Sequence, residues 1–338
     1  MSTLLPSASL RRPAALLPGD TVAVVAPAGP VRPDLLERGV AVLRSWGLRV
    51  TVMPHVTETR LGHLAGRDSD RAADLQAAWT DPRVAAVLCA RGGYGCQRMA
   101  DLLDWDTLAA AEPKPLVGCS DVTELHRLFA TRLGVATLHG PMVATEAFDE
   151  PTTLAHLHRM LFTPEGIREL PLLAPPLATG QARGILAGGN ASLLASSVGG
   201  PGPTAPDGSL LLLEEIGEDP YRLDRILTQL RRAGVLAAAA GIVLGDFTDC
   251  GAPAAVAEVL HDRLADLGVP VAAGLRAGHG EVQLTVPLGL RADLTAVTGP
   301  GESILLLSQA PLRARAGAAP RPRDTPRTDR KDGQPCAS

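Results

Sequence analysis

The sequence predicts an α/β protein of two domains, the first built on a doubly wound and mostly parallel sheet. Short apolar runs alternate with amphipathic patterns along the chain, the arrangement that covers both faces of a parallel sheet with helices. At 338 residues the chain is long enough for two ordinary domains. Between residues 148 and 181 the pattern loosens and prolines recur, so we expect the connection between the domains there.

The first half supplies the parallel sheet. Its predicted strands are the apolar runs 21–27, 48–53, 84–90 and 115–118. Between them the apolar spacing is helical, with Gly47 as a C-terminal stop for the first helix and Ser69 as a cap for the second. The predicted helices cover 34–46, 69–80, a segment containing Met99, Leu102 and Leu103, and 121–132.

The second half continues this alternation, in what we expect to be a smaller domain. Predicted strands are 184–189, 209–214, 241–247, 270–275, 283–287 and 304–307. Predicted helices are a short one from Asn190, one over 221–233 and one over 253–267. In the second of these, the apolar residues follow helical spacing, Arg231 and Arg232 suit the C-terminus, and Gly234 is the stop.

These patterns divide the chain into four parts. Residues 15–150 form an N-terminal domain, 151–182 a linker, 183–310 a C-terminal domain and 311–338 a disordered tail. The tail carries seven basic and three acidic residues, about +4, so the net charge of −4 leaves the body near −8. An acidic body predicts no nucleic-acid binding, and no apolar run is long enough for a membrane span.

Cysteine usage predicts neither a disulfide framework nor a metal site. The five cysteines are an odd number and form no Cys-x-x-Cys pair, and the chain has no His-Glu-x-x-His motif. We therefore expect no metal and no cofactor, and a reducing, cytoplasmic location.

Ser120 is the predicted nucleophile. It follows the apolar run 115–118 and precedes a helical pattern, so it lies at a sharp turn from strand to helix. Such a turn exposes the hydroxyl and aims free helix N-terminal amides at a reacting carbonyl. Val122 stands where the general nucleophile-elbow signature has glycine, and the same residues also fit a helix N-cap. Cys119 precedes the turn, and strand alternation would bury it.

His279 is the strongest of eight histidines for the role of base. It lies between two glycines just after the predicted strand 270–275, where the backbone is free to turn and a substrate can approach. A histidine that only stabilises the turn fits the pattern as well. His126 is expected to pack within the first domain, and His139 can line a cleft because it follows a strand.

Glu214 is the predicted carboxylate that orients the base. Four leucines precede it, so it either points into a cleft or needs a partner. Strand alternation turns Glu215 to the opposite side, and Glu218 and Asp219 are nearby candidates for the same role. The loop 91–95 can supply backbone amides to an oxyanion, and its glycine spacing does not match a dinucleotide fingerprint.

The order of motifs along the chain resembles the LD-carboxypeptidase family, which includes muramoyltetrapeptide carboxypeptidases and the related microcin C self-immunity peptidases. The resemblance covers roughly residues 15–308. The segments that carry it are Leu17 to Pro27, Arg67 to Asp74, Ala90-Arg-Gly-Gly-Tyr-Gly95, Gly118-Cys-Ser-Asp121, His139-Gly-Pro141, Gly188-Gly-Asn190, Leu213-Glu-Glu-Ile-Gly-Glu218, Tyr221-Arg-Leu-Asp-Arg225 and Gly278-His279. Cys119 departs from the family, which usually has a larger residue there.

The resemblance implies a serine peptidase with a catalytic triad of Ser120, Glu214 and His279. It implies oxyanion or substrate binding by Gly92, Gly93, Asp121 and Asn190. It also implies a C-terminal domain of the swivelling β/α type, an active site between the domains, and a homodimer.

The expected reaction is removal of a C-terminal D-amino acid from murein tetrapeptides during cell-wall recycling. Arg91 and Arg222 are candidates for binding the terminal carboxylate, and both also suit structural ion pairs. The alternative substrate is a peptidyl or aminoacyl nucleotide, as for the microcin-immunity peptidases, although their additional aromatic residues are scarce here. A binding protein that has lost catalysis is a third hypothesis, which the retention of all three triad residues disfavours.

Overall fold

The computed structural model describes residues 10–298 and 303–315. In chain order the strands are β1 (Thr21–Val25), β2 (Arg49–Val52), β3 (Val84–Cys89), β4 (Leu116–Gly118), β5 (Thr137–His139), β6 (Glu169–Leu172), β7 (Ala174–Ala178), β8 (Gly180–Asn190), β9 (Leu210–Ile216), β10 (Gly241–Thr248), β11 (Val271–Ala273), β12 (Val286–Leu288), β13 (Arg291–Ala296) and β14 (Ser303–Leu307).

The helices alternate with these strands through most of the chain. They are α1 (Pro33–Ser45), α2 (Asp68–Thr80), α3 (Cys96–Ala100), α4 (Trp105–Ala110), α5 (Thr123–Leu128), α6 (Pro151–Phe162), α7 (Ala191–Ser197), α8 (Pro220–Arg232) and α9 (Pro253–Leu264). No helix in the described ranges has the length and hydropathy needed to cross a membrane.

The two-sheet α/β architecture predicted from the sequence is confirmed. The first sheet has the order β12-β5-β4-β3-β1-β2 and is parallel except for β12. The second has the order β6-β14-β13-β8-β9-β10-β11-β7. Its centre, β8 to β11, is parallel, and its outer strands are antiparallel.

Three segments differ from the prediction. Residues 151–182, expected as a linker, contain α6, β6 and β7 and the start of β8. The helix expected over 121–132 is divided into a 3-10 turn (Ser120–Val122), α5 and a π-helical turn (Phe129–Leu133). The expected tail begins later than residue 311, because Arg313 exchanges backbone hydrogen bonds with Pro13 and Ala15. Residues 316–338 lie outside the described residues.

A single hydrophobic core connects the two sheets. It includes Val22 and Val24 of β1 together with Leu210 and Leu212 of β9. The intervening leucines of β9, Leu211 and Leu213, face a separate core beneath α7, α8 and α9. The alternation of β9 side chains between two cores explains why this run is apolar throughout, and it determines where the carboxylates that follow it point.

Candidate active site

Ser120 occupies a strained turn at the carboxyl end of β4. Its φ is +61°, a left-handed conformation that is costly for a residue with a Cβ. Cys119 before it is extended, and the 3-10 turn and α5 follow. Strained backbone conformations of this kind are frequent at functional sites, where they hold a side chain in an exposed position that an unstrained turn would not give it. The predicted turn from strand to helix is therefore present.

Gly92 lies directly against the side chain of Ser120. A Cβ on Gly92 would be 2.6 Å from Ser120 Cβ, 2.8 Å from its Oγ and 3.5 Å from the backbone nitrogen of Asp121. Gly29 fixes this loop by donating its N–H to the Gly92 carbonyl at 2.9 Å, and Gly93 has a φ of +111°. The structure thus brings Gly92 and the backbone nitrogen of Asp121 to the serine side chain, and only glycine fits at position 92.

The side chain of Asp121 has a structural contact. Its Oδ2 accepts a hydrogen bond from the backbone N–H of Cys96 at 2.7 Å, which ties the 91–95 loop to the serine turn. Burial raises the pKa of this carboxyl. The backbone nitrogen of Asp121, near Ser120, is the atom that suits an oxyanion.

Glu214 and His279 form a buried hydrogen-bonded pair. His279 Nδ1 and Glu214 Oε2 are 2.7 Å apart, and the Glu214 side chain is 0% exposed. Gly278 makes this contact possible, since a Cβ there would lie 2.5 Å from Glu214 Oε2. As β9 alternates, Glu214 turns towards the first sheet and Glu215 turns away, as the sequence predicts.

The electrostatics of this pair suit a base and its orienting acid. Burial alone would raise the pKa of Glu214, but His139 and His279 outweigh it and hold this pKa at about 2. Burial lowers the pKa of His279, and the hydrogen bond and charge of Glu214 more than reverse this, so the pKa is raised overall. With Nδ1 bound to the carboxylate, Nε2 is the nitrogen left for proton transfer.

A hydrogen bond joins the segment after Ser120 to the second sheet. The N–H of Asn190 donates to Thr123 Oγ1 at 3.0 Å, one turn after Ser120, and Asn190 pairs with Glu214 across β8 and β9. Within the described ranges no hydrogen bond joins Ser120 to His279 directly. Such catalytic contacts often tighten only when substrate binds.

Three residues predicted to bind substrate have other partners. Asn190 is buried, and its side-chain amide donates to Glu215 and accepts from the N–H of Leu193, capping α7. These bonds give the amide a structural role at the start of α7, and its predicted contact with substrate stays a prediction. Arg222 pairs with Glu218 on α8. Arg91 is exposed and donates to the Pro30 carbonyl at 2.7 Å.

Cys119 is excluded as an alternative nucleophile. It is buried, and burial raises the pKa of its thiol. The neutral thiol is a weak nucleophile and the thiolate is the reactive form, which agrees with the prediction that this side chain points into the core.

Sequence reasoning missed two features of the site. Asp246, near the end of β10, lies against Gly280, and burial raises its pKa to about 6. The sequence feature that could have identified Asp246 is a carboxylate near the end of a buried strand, the same feature that identified Glu214. The second is the proximity of His139 to Glu214, which no local pattern reveals. A cleft of about 590 Å³ opens beside His279 and is lined by parts of 142–150 and 279–283.

Comparison of the sequence with known proteins identifies the family of this chain. A family model described as the LD-carboxypeptidase N-terminal domain matches residues 22–140, and one for the LD-carboxypeptidase C-terminal domain matches residues 183–294. A putative carboxypeptidase of Streptomyces coelicolor is 52% identical over 86% of this chain and 95% of its own. A murein tetrapeptide carboxypeptidase of Pseudomonas aeruginosa is 37% identical over 81% of this chain and 92% of its own.

Solved structures have the same two-sheet fold. A muramoyltetrapeptide carboxypeptidase from Oxalobacter formigenes matches with a TM-score of 0.76 at 30% identity, over 86% of this chain and 99% of that one. An MccF-like protein from Bacillus anthracis matches with a TM-score of 0.77 at 25% identity, over 87% and 98% of the two chains.

Proposed function

This chain is a member of the LD-carboxypeptidase family, and from that premise we propose that it removes the C-terminal D-amino acid from murein tetrapeptides during cell-wall recycling. The observation that carries the proposal is the buried, hydrogen-bonded pair of Glu214 and His279, which Asn190 links to the helix that follows the strained serine turn. The relative named for murein tetrapeptide cleavage supports the choice of substrate.

The proposed mechanism uses a covalent intermediate. Ser120 Oγ attacks the carbonyl of the last amide bond while His279 accepts its proton, and the oxyanion takes hydrogen bonds from the backbone of Asp121 and of the Gly92-Gly93 loop. His279 then protonates the leaving amine, which departs as a free D-amino acid. Water, activated by the same imidazole, hydrolyses the ester and restores Ser120. Glu214 holds the imidazole in the required tautomer and stabilises its protonated form.

Mass spectrometry after incubation with murein tetrapeptide tests this proposal. Wild-type protein is expected to release D-alanine and to leave the tripeptide. Ser120→Ala is expected to abolish release, whereas Ser45→Ala, an exposed serine on α1, is expected to leave it unchanged. Equal release by wild type and Ser120→Ala would refute the assignment of the nucleophile.

The microcin-immunity type of substrate is the second candidate, favoured by the likeness to the MccF-like protein. This candidate would be favoured if the protein does not cleave murein tetrapeptide but does cleave an aminoacyl sulfamoyl adenylate. Binding of either compound without cleavage would instead indicate a protein that has lost catalysis.

The proposal extends to location and assembly. We propose a cytoplasmic enzyme, supported by the buried free cysteines Cys89, Cys96, Cys119 and Cys250, and a homodimer. Within each subunit, the N-terminal domain (15–150) would carry the nucleophile Ser120, and the C-terminal domain (183–310) would carry Glu214 and His279. Light scattering coupled to size-exclusion chromatography tests the dimer: a mass near 35.1 kDa would mean a monomer and would contradict it.

A further inference from the structure

His139 lies buried beside Glu214, on the side of the carboxylate opposite His279. Its Nε2 is 3.7 Å from Glu214 Oε1, and the two side chains are 1% and 0% exposed. In the described part of the chain, neither ring nitrogen of His139 has a hydrogen-bond partner, and neither has Glu214 Oε1. A buried imidazole nitrogen and a buried carboxylate oxygen therefore face each other, and neither has a hydrogen-bond partner among the described residues.

We propose that His139 is a positioning residue that donates Nε2–H to Glu214 Oε1 and so fixes the carboxylate with Oε2 towards His279. The inference rests on the proposed function in taking Glu214 as the acid of the triad. His139 itself does not reach the substrate, because its ring is buried beneath the site.

The surrounding backbone determines where this ring lies. His139 pairs with Gly118 of β4 on one side and with Val286 of β12 on the other. At position 189 a Cβ would be 3.4 Å from His139 Cδ2 and 2.6 Å from Thr123 Oγ1, so glycine there lets β8 pass close to the ring. Because β5 is hydrogen-bonded to a strand on each side, we expect the Glu214 side chain, rather than His139, to move so that Oε1 reaches Nε2.

A shorter distance between His139 Nε2 and Glu214 Oε1 is favoured because both atoms are buried and lack hydrogen bonds. An unpaired buried polar atom is costly, and a hydrogen bond to a charged group is stronger than a neutral one. At 3.7 Å the pair is just beyond the hydrogen-bond range. Approach by somewhat less than 1 Å satisfies both atoms at once.

Other ionisable groups around the pair do not offer a second partner. They are His279, bound to Oε2; His126 on α5, whose Nε2–H donates to the Gly118 carbonyl; Cys119, with a neutral thiol; and Asp246 on β10, a second acid. Among the described residues, His139 is the one whose ring nitrogen faces Oε1. It also accounts for part of the low pKa of Glu214.

The tautomer of His139 in the wild-type protein is the first test. Nitrogen-15 NMR of histidine-labelled protein at neutral pH is expected to show the proton of His139 on Nε2. A neutral ring with its proton on Nδ1 would direct a lone pair at the carboxylate and would overturn the proposal. Because this measurement needs no substrate, it remains decisive even if the proposed peptidase activity is absent.

A pair of variants of similar volume is the second test. Gln in place of His139 keeps a donor at the position of Nε2, and Leu removes it. His139→Leu is expected to lower kcat by about ten- to a hundredfold with KM unchanged, and His139→Gln to recover most of this loss. His158→Leu replaces a histidine that packs against Trp46 and has no contact with Glu214 or His279 among the described residues, and it serves as the control.

Carbon-13 NMR of the Glu214 carboxyl separates positioning from packing. Loss of a donor to the anion is expected to raise the pKa of Glu214 in His139→Leu and to raise it less in His139→Gln. An unchanged pKa, or equal loss of kcat in both variants, would mean a packing role and would overturn the proposal. If His139→Leu does not fold, the comparison of wild type with His139→Gln and the tautomer measurement decide the question.

Discussion

At the scale of single residues, the site depends on glycines as much as on the three reactive side chains. Gly92 leaves room for Ser120, and Gly278 leaves room for Glu214. The identities of Ser120, Glu214 and His279 could be proposed from the sequence because each lies at or after the end of a predicted strand, in a recognisable motif. The contact of His139 with Glu214 could not, since it depends on how two sheets pack.

Gly92→Ala is expected to damage activity more than stability. The added Cβ would be 2.6 Å from that of Ser120, so the serine turn or the loop must shift. We expect kcat to fall about a hundredfold and the free energy of unfolding to fall by about 1–3 kcal/mol. Gly166→Ala is the control, because its nearest neighbour would be Arg159 Nη2 at 3.8 Å. Full activity of Gly92→Ala would contradict the close packing described here.

The pH dependence of hydrolysis is expected to report the pKa of His279. The base must be neutral, and Glu214 raises this pKa, so kcat/KM is expected to rise with pH through a value above that of an ordinary histidine. Glu214→Gln removes the charge, so the midpoint is expected to move to lower pH while kcat falls. A midpoint that stays in place in Glu214→Gln would argue against the pair as base and orienting acid.

At the scale of elements, β9 shows how one strand serves a core and a site together. Its leucines alternate between two cores, and the same alternation sends Glu214 and Glu215 to opposite faces. Glu215 accepts hydrogen bonds from the side chain of Asn190 and from the N–H and hydroxyl of Ser192, so it holds the start of α7. The sequence predicted the alternation but not these partners.

Glu215→Ala is expected to destabilise the protein severely. The change leaves the donors of the buried Asn190 and the half-buried Ser192 without an acceptor, and we expect a loss of about 3 kcal/mol or more in the free energy of unfolding. Urea denaturation measures this loss. Glu258→Ala, at an exposed position on α9, is expected to change stability by less than about 0.5 kcal/mol. Similar losses in the two variants would contradict the role given to Glu215.

The strands β6 and β7 were the hardest elements to predict, because both contain proline. Pro171 lies in β6, and Pro175 and Pro176 lie in β7, and these two strands are the outer edges of the eight-stranded sheet. Proline lacks the N–H that an interior strand needs but is tolerated at an edge. Local composition therefore indicated a linker, because it carries no information on position within a sheet.

At the scale of the whole molecule, the continuous core between the sheets ties the two halves together. Apolar side chains of β1 and β9 belong to one cluster. Arg127 of α5 adds a polar connection by donating to the Pro201 carbonyl at 2.7 Å while paired with the buried Glu124. The relative position of the serine turn and the Glu214–His279 pair is therefore fixed by packing as well as by local motifs.

Thermal unfolding is expected to occur in one cooperative transition. Separation of the sheets would expose the shared core, so neither half is expected to remain folded after the other is lost. Differential scanning calorimetry measures this, with a ratio of calorimetric to van't Hoff enthalpy close to one as the expected result. Two resolved transitions would show that the halves are independent.

The strand β12 has a consequence for any attempt to separate the halves. It comes after His279 in the chain, yet it pairs with β5 at the border of the first sheet. A gene fragment ending before it would express a sheet with bare amides and carbonyls along β5, a template for intermolecular pairing and precipitation. Split versions of the protein therefore need residues 286–288 fused back to the first fragment.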